Sequence, residues 1–244
     1  MRAEHSDLPR PRHQPGERGG ERGLPRRHDL VWLVPGARVE LASTRDDGCL
    51  SAVSAWLARG LPLVGARGDP AQPALVALGL ACPPGAPVRR IALQVPRNAI
   101  ARVAPPPLLR DAARSAPAAW RDPLRALDAE ARRAGLTLRV HGSLAWQHLS
   151  GDGFVTEGSD GDLLVRPRDL AALARALVLL TRRAAGPPRL DGEVLLPGGR
   201  AVAWRELAGG AARVLVKSSD AVALEPRARV MAWLGPPASA GAGG

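Results

Sequence analysis

Tyrosine is absent from this chain of 244 residues, phenylalanine occurs once, and aromatic residues make up only 3% of the sequence. Proteins that bind single-stranded nucleic acids stack the bases on exposed aromatic side chains. A chain with so few aromatic side chains is poorly suited to that function. We therefore predict that nucleic acid is not its partner.

Cysteine and long apolar segments are scarce as well. Cys49 and Cys82 are the only cysteines, which is too few for a disulfide framework, and they show no metal-ligand spacing. No apolar stretch approaches the roughly 20 residues that cross a bilayer, and the first residues lack the apolar core of a signal peptide. The sequence predicts a soluble protein of the reducing cytoplasm, with no membrane partner.

Lysine is represented by Lys217 alone, and arginine supplies the rest of the 34 basic residues, against 23 acidic ones. The formal net charge of +11 partly reflects this preference for arginine. Such an excess fits a polyphosphate substrate or an acidic protein partner as well as a nucleic acid. Charge alone does not identify the partner.

Proline, glycine and charged residues dominate both ends of the chain, residues 1–26 and 235–244, which we predict to be disordered tails. A proline-rich stretch at 104–123 favours a boundary between two subdomains. These subdomains would span 27–118 and 119–234 and would enclose a cleft between them.

Apolar periodicities typical of strands and of helices follow one another along the chain, which favours an α+β fold. Asp169 is expected to cap the longest helix. The helices are predicted at 49–60, 122–135, 144–149, 169–185 and 227–234. The strands are predicted at 27–34, 61–68, 88–96, 136–140, 160–165 and 212–217, with a hairpin over 192–207 around Pro-Gly-Gly.

Two aspartates, Asp160 and Asp162, are one residue apart in an otherwise apolar strand pattern. Successive side chains of a strand point to opposite faces, so both carboxylates would share one face at a separation of roughly 6–7 Å. Such a pair is costly unless a cation lies between its members, and hard oxygen ligands suit Mg²⁺. We interpret the pair as a metal site, the alternative being a solvated strand end.

A glycine and a serine, Gly142 and Ser143, stand upstream between a predicted strand and a predicted short helix. Glycine lets the backbone approach a phosphate closely, and the serine and the helix N-terminus offer hydrogen-bond donors to it. This turn and the aspartate pair would then face one polyphosphate.

The segments "HGSLAWQHLSG" and "SDGDLLV" resemble the glycine-serine and paired-aspartate signature of the nucleotidyltransferase superfamily that includes DNA polymerase beta. Within it the chain is similar to the malonate decarboxylase holo-acyl carrier protein synthase family, also called phosphoribosyl-dephospho-CoA transferases. "RHDLVWL", "VRRIALQV", "DGEVLLPGGRAVAWREL" and "VLVKS" occur in that family's order, over residues 27–225. The resemblance implies a polymerase-beta-like domain with a mixed sheet and a smaller N-terminal α/β subdomain.

The resemblance also implies a reaction. The 2'-(5''-triphosphoribosyl)-3'-dephospho-CoA precursor would be transferred to a serine of the acyl carrier subunit of malonate decarboxylase, with release of diphosphate. Asp160 and Asp162 would hold Mg²⁺, and Gly142 and Ser143 would hold the outer phosphates.

Superfamily members add a third carboxylate on a later strand. Glu206 is our first choice by strand order, and Asp191 and Glu193 are its rivals. A bulky apolar residue usually separates the two aspartates in the family, whereas Gly161 stands there in this chain. Glycine weakens a strand, so we expect looser geometry of both ligands and reduced or altered activity.

Several basic residues are weaker candidates. Arg89, Arg90 and Lys217 are predicted to contact phosphate, although a solvated strand end explains the two arginines as well. His141 and His148 are interpreted as structural histidines, because a zinc site needs more ligands.

Two other functions fit the same sequence. The first is a nucleotidyltransferase that uses ATP on a small molecule or on a protein side chain. The second is a basic nucleic-acid-binding protein with a degenerate nucleotidyltransferase fold.

Overall fold

The structure, a computed structural model, describes residues 24–42, 47–219 and 221–235. Most of each predicted tail lies outside these residues. The described part forms two six-stranded sheets and seven α-helices, which confirms the α+β class. None of its helices is long and apolar enough to cross a bilayer.

The first sheet is antiparallel throughout. Its strands are β1 (Leu30–Leu33), β2 (Glu40–Leu41), β3 (Leu63–Gly65), β4 (Leu75–Ala81), β5 (Arg90–Pro96) and β6 (Ile100–Ala104), in the order β2-β5-β4-β3-β1-β6. Helix α1 (Asp47–Ala58) packs its buried Val53 and Trp56 into the apolar cluster of this sheet.

The second sheet contains one parallel pair. Its strands are β7 (Leu138–Val140), β8 (Gly161–Val165), β9 (Leu190–Leu196), β10 (Arg200–Ala203), β11 (Arg213–Lys217) and β12 (Val222–Pro226), side by side in the order β12-β11-β10-β9-β8-β7. The helices are α2 (Leu109–Ala112), α3 (Ala118–Arg133), α4 (Gly142–Ser150), α5 (Leu170–Arg183), α6 (Trp204–Ala208) and α7 (Arg227–Ala232). Strands β8 and β9 are parallel because α5 returns the chain between them.

Helices α3 and α5 cover one face of the second sheet. They and the sheet form a single apolar cluster, which includes Leu124, Leu127, Leu163, Val165, Leu173, Leu180 and Val194. Asp169 caps α5 as predicted, since its Oδ1 accepts a hydrogen bond from the Ala172 amide at 2.6 Å. The opposite face of the sheet carries Asp162, Asp191 and Glu193 together with Leu164 and Leu195, and is called the polar face below.

The two halves of the chain pack against each other. The Trp56 and Trp146 rings meet edge to face with centroids 5.3 Å apart, and Phe154 joins the same cluster. Arg59 Nη1 donates to Asp152 Oδ2 at 2.6 Å at the rim of this contact. Aromatic pairs from different elements therefore fix the relative placement of the two sheets.

The hairpin predicted over 192–207 forms, with Pro197-Gly198-Gly199 as its turn between β9 and β10. Its last four residues were expected to continue the strand, and this is wrong, because they form α6. Trp204 and Leu207 are both buried and are three residues apart, which is helical spacing. The correction matters because Glu206 lies on this helix.

Candidate active site

Three acidic side chains lie on the polar face of the second sheet. Asp162 of β8 is the register partner of Asp191 of β9, and Glu193 follows two residues later on β9. Alternation along a strand places residues two apart on the same face. The sheet therefore presents a cluster of carboxylates where β8 and β9 run side by side.

The environment of Asp162 disfavours its charged form. The pKa of Asp162 is raised to about 6, mainly by burial and then by the charges of Asp191 and Asp160. The charge of Arg90, on the first sheet, acts in the opposite direction. A cation placed beside Asp162 would relieve both the burial and the repulsion.

Asp160 is placed differently from Asp162. It precedes β8, and both of its carboxylate oxygens accept hydrogen bonds from the guanidinium of Arg189. Asp160 is thus paired with Arg189 in the structure, and its sharing of one ion with Asp162 stays a prediction. Asp191, on the neighbouring strand, takes the place beside Asp162.

The start of α4 lies directly against Asp162. The His141 amide donates to the Asp162 carbonyl at 3.0 Å, and Gly142 follows with φ of 66°. A Cβ on Gly142 would overlap the Asp162 carboxylate and would lie 3.0 Å from its Cγ. Among the described residues no side chain caps the helix here, so its first amide groups lack a side-chain acceptor. The structure thus places Gly142 directly against Asp162, and Ser143 follows it on α4.

Gly142→Ala tests this close approach, and we expect it to cost about 2 kcal/mol or more of stability and to lower activity strongly. The loss of stability has two sources. One is the left-handed backbone conformation at residue 142, and the other is the displacement of Asp162. Gly151→Ala is the matched control, because Gly151 ends the same helix at φ of 78° with nothing within 4 Å of an added Cβ. Urea unfolding and turnover of both variants separate the two sources. Equal effects of the two substitutions would contradict a role for the contact with Asp162.

Glu193 is buried and serves as an anchor for the N-terminal segment. Arg27 and His28 donate to its Oε2, and Lys217 Nζ donates to its Oε1 at 3.0 Å. Burial alone would raise the pKa of Glu193, but the hydrogen bond from His28 and the charge of Arg27 hold it well below its usual range. The Glu193 carboxylate is therefore ionised, and its charge is already balanced by neighbouring cations. In Asp162, by contrast, burial disfavours the charged form.

The two histidines predicted to be structural differ in their contacts. His148 Nδ1 lies 3.0 Å from Ser115 Oγ, which agrees with a structural role. The His141 ring packs on His28 with centroids 4.4 Å apart, and its buried Nε2 has no hydrogen-bond partner among the described residues. Burial lowers the pKa of His141 to about 3, so this ring is neutral.

Other predicted site residues lie at varying distances from the cluster. Glu206 lies on α6 rather than on a strand, and its Oε2 accepts a hydrogen bond from the Leu215 amide at 2.7 Å. Arg90 acts on Asp162 through its charge, whereas Arg89 precedes β5 and has its carbonyl bonded to the Cys82 amide. Lys217 donates a hydrogen bond to Glu193. Asp191 is thus the rival that the geometry favours as third carboxylate.

The glycine between the two aspartates is matched by a proline that lies just before β9. A Cβ on Gly161 would lie 3.0 Å from Pro188 Cγ and 3.3 Å from a Leu190 methyl group. Pro188 and Leu190 therefore fill the space that a larger side chain at 161 would take. The Gly161 amide is also bonded to the Arg189 carbonyl at 2.8 Å, which ties the start of β8 to β9.

The carboxylate cluster fits Mg²⁺ only if substrate phosphates and water supply the remaining ligands. Among the residues that the structure describes, no three His, Cys, Asp or Glu side chains are grouped closely enough to hold a metal ion by themselves. Mg²⁺ in phosphoryl-transfer sites is usually held by one or two carboxylates together with substrate phosphates and water. Asp162 and Asp191 supply such a pair, and the raised pKa of Asp162 marks it as lacking a counter-ion.

Arg27 and its neighbour His28 lie beside the site, and Arg27 was not predicted there. Their segment crosses the polar face of the second sheet, and it is held there from the first sheet by Gly65. The His28 amide donates to the Gly65 carbonyl at 3.0 Å, and the Gly65 amide donates to the Asp29 carbonyl at 2.7 Å. A Cβ on Gly65 would overlap the Arg26 carbonyl, so glycine is required at this position. The only local signal in the sequence is the run Arg26-Arg27-His28-Asp29.

Two family models match this chain and together cover most of it. Residues 26–106 match the phosphoribosyl-dephospho-CoA transferase MdcG N-terminal domain, and residues 108–228 match the MdcG C-terminal domain. The first of these matches contains the first sheet, and the second contains the carboxylate cluster.

Curated relatives agree with the family models. A phosphoribosyl-dephospho-CoA transferase of Xanthomonas euvesicatoria is 44% identical over 205 residues, which is 83% of this chain and 94% of the relative. Those of Bradyrhizobium diazoefficiens and Azotobacter vinelandii are 40% and 36% identical, over 83% and 82% of this chain and 91% and 92% of the relatives. No solved structure matches the chain significantly.

Proposed function

The chain belongs to the phosphoribosyl-dephospho-CoA transferase family, whose members are transferase enzymes, and we propose that it acts on 2'-(5''-triphosphoribosyl)-3'-dephospho-CoA. The acceptor is a serine of the acyl carrier subunit of malonate decarboxylase. The observation that supports this most is the Asp162–Asp191 pair set against the glycine that begins α4.

The proposed reaction is a displacement at phosphorus. The serine oxygen forms a bond to the inner phosphorus of the triphosphate, and the bond from that phosphorus to the bridging oxygen of the diphosphate breaks. The hydroxyl proton passes to a carboxylate of the cluster, and diphosphate leaves with the bonding electrons. Little covalent chemistry is required of the protein, so catalysis rests on positioning and on charge stabilisation.

Each part of the site has a role in this scheme. Asp162 and Asp191 would hold Mg²⁺, which when bound supplies charge stabilisation to the phosphates. The uncapped amide groups at the start of α4 and the Ser143 hydroxyl bind the outer phosphates, which are good ligands for a helix N-terminus. Arg90 adds a positive charge on the opposite wall. The same arrangement supports assigning the second sheet to the nucleotidyltransferase fold.

The charge of the chain supports a protein acceptor of this kind. Acyl carrier proteins are generally acidic, and the donor is strongly anionic, whereas this chain has a formal net charge of +11. A basic surface around the site would attract both. We place the docked carrier beside the polar face of the second sheet, with its serine directed toward Asp162.

The experiment that tests the proposal uses Mg²⁺, purified carrier subunit, and either labelled triphosphoribosyl-dephospho-CoA or labelled ATP. Transfer of label to the carrier and release of diphosphate are expected with the CoA-type donor alone. A carrier whose acceptor serine is replaced by alanine is the control and should remain unlabelled. Labelling from ATP but not from the CoA-type donor would replace this function by that of an ATP-dependent nucleotidyltransferase.

A further inference from the structure

A cavity of about 380 Å³ lies on the same face of the second sheet as the carboxylate cluster. Leu164, the next residue after Asp162 on that face, forms part of its wall. Leu195, two residues after Glu193 on β9, forms another part. The cavity therefore begins about 7 Å along the strands from Asp162 and Asp191, beside Glu193, and continues away from them.

Arginine dominates the polar lining of this cavity. Among the residues that the structure describes, five arginines line it, namely Arg26, Arg27, Arg139, Arg166 and Arg200, and Asp29 is the one acidic residue of that lining. Cations gathered around one small space repel each other, which is unfavourable unless an anion occupies the space.

Three of the five arginines have evident structural partners. Arg27 pairs with Glu193, Arg139 donates to the Pro106 carbonyl, and Arg200 lies over the Trp233 ring at 4.3 Å. Arg26 and Arg166 are exposed, and their guanidinium groups have no hydrogen bond or ion pair with any other described residue. Their charges act on the Asp29 carboxylate in the same lining, where they oppose the rise of its pKa that burial causes. One half-buried carboxylate faces these two exposed guanidinium groups, which leaves them able to bind a further anion.

We propose that this cavity binds the 5'-diphosphate of the dephospho-CoA part of the donor, with Arg26 and Arg166 as its principal contacts. The proposal rests on the function proposed above, because the donor carries two anionic groups on opposite sides of its sugars. The carboxylate cluster and α4 take the triphosphate. The arginine cavity takes the diphosphate, and guanidinium groups suit it because they bind phosphates in two-point geometry.

Binding of 3'-dephospho-CoA, measured by calorimetry in EDTA, tests the cavity without any turnover. We expect Arg26→Gln and Arg166→Gln each to weaken binding about tenfold and the double variant to weaken it about a hundredfold. Arg125→Gln is the matched control, since Arg125 is an exposed arginine on α3 paired only with Asp122. It should bind like the wild type, and all variants should share the wild-type melting temperature.

Two further probes define which part of the donor is bound. Pantetheine, which lacks phosphate, should bind equally weakly to the wild type and to every variant. Inorganic diphosphate should compete with dephospho-CoA for the wild type. Wild-type affinity of the double variant for dephospho-CoA, or no binding of dephospho-CoA by the wild type, would overturn the proposal.

Transfer assays separate this proposal from the function on which it rests. With the full donor, the two arginine variants should show a raised KM and a nearly unchanged kcat. If the wild type transferred nothing to the carrier while dephospho-CoA binding still depended on Arg26 and Arg166, the proposed function would fail and the binding site would stand. If transfer proceeded with an unchanged KM in both variants, the cavity assignment would fail and the function would stand.

Discussion

Asp162→Asn is expected to abolish group transfer and, at the same time, to stabilise the ligand-free protein. In the fold the pKa of Asp162 is raised to about 6 by burial and by Asp191. A raised folded pKa means that the stabilising contribution of this carboxyl is present below its unfolded pKa and is lost as pH rises through 6. At pH 8 the ionised side chain is therefore unfavourable, and asparagine removes that cost.

The size of the gain follows from the shift, reduced for the part of the side chain that water reaches. We expect about 1–2 kcal/mol at pH 8 in EDTA, measured by urea unfolding, and little difference below about pH 4, where both states bind the proton. Turnover with Mg²⁺ should fall by about a thousandfold or more.

Asp160→Asn is the matched control for Asp162→Asn. Its carboxylate is paired with Arg189 near the surface, so the asparagine variant should not gain stability at pH 8. Near-normal turnover of Asp162→Asn would remove Asp162 from the catalytic machinery. A loss of stability at pH 8 would show that its carboxylate has a counter-ion that the structure does not contain.

Local patterns account for much of the fold. Asp169 followed by an apolar helical repeat predicted α5 and its cap, and the Pro-Gly-Gly turn predicted the hairpin of β9 and β10. Strand β4 was missed because residues 66–82 mix proline, glycine and apolar residues without clear boundaries. Residues 204–207 were predicted as strand although they form a helix. An apolar run that follows a strand resembles a continuation of that strand.

The site was predictable only where its residues are neighbours in sequence. Gly142, Ser143 and Asp162 carry a recognisable spacing, and the structure places Gly142 directly against Asp162. The position of Asp191 depends on the parallel register of β8 and β9, which no local pattern specifies. Glu206 was chosen by strand order, but the chain leaves the sheet before that residue, which lies on α6.

The N-terminal contribution to the site was not predictable for a related reason. Arg27 and His28 are more than 160 residues from Glu193 in sequence. Before the packing of the two sheets is known, an Arg-Arg-His-Asp run is equally consistent with a solvated segment. Only tertiary structure shows that its charges are matched to a buried carboxylate.

Glu193→Gln is expected to be the most destabilising of these substitutions. The Glu193 side chain is 8% exposed, and glutamine would leave Arg27 and Lys217 without their counter-charge. Removing one partner of a largely buried ion pair typically costs about 3 kcal/mol or more. Because the folded pKa is depressed, this stabilisation is present above the unfolded pKa, near 4.3, and is lost as pH falls through the folded pKa.

Urea unfolding at pH 7 measures the loss, and Glu130→Gln is the matched control. Glu130 also pairs with two arginines, Arg182 and Arg183, but on the exposed surface between α3 and α5, so its loss should be much smaller. In a double-mutant cycle, Arg27→Gln should cost less in the Glu193→Gln background than in the wild type, because the pair is already broken. Additive effects would mean that Arg27 and Glu193 act independently. In that case the anchoring of the N-terminal segment, and with it one wall of the arginine cavity, would have to come from the Gly65 hydrogen bonds alone.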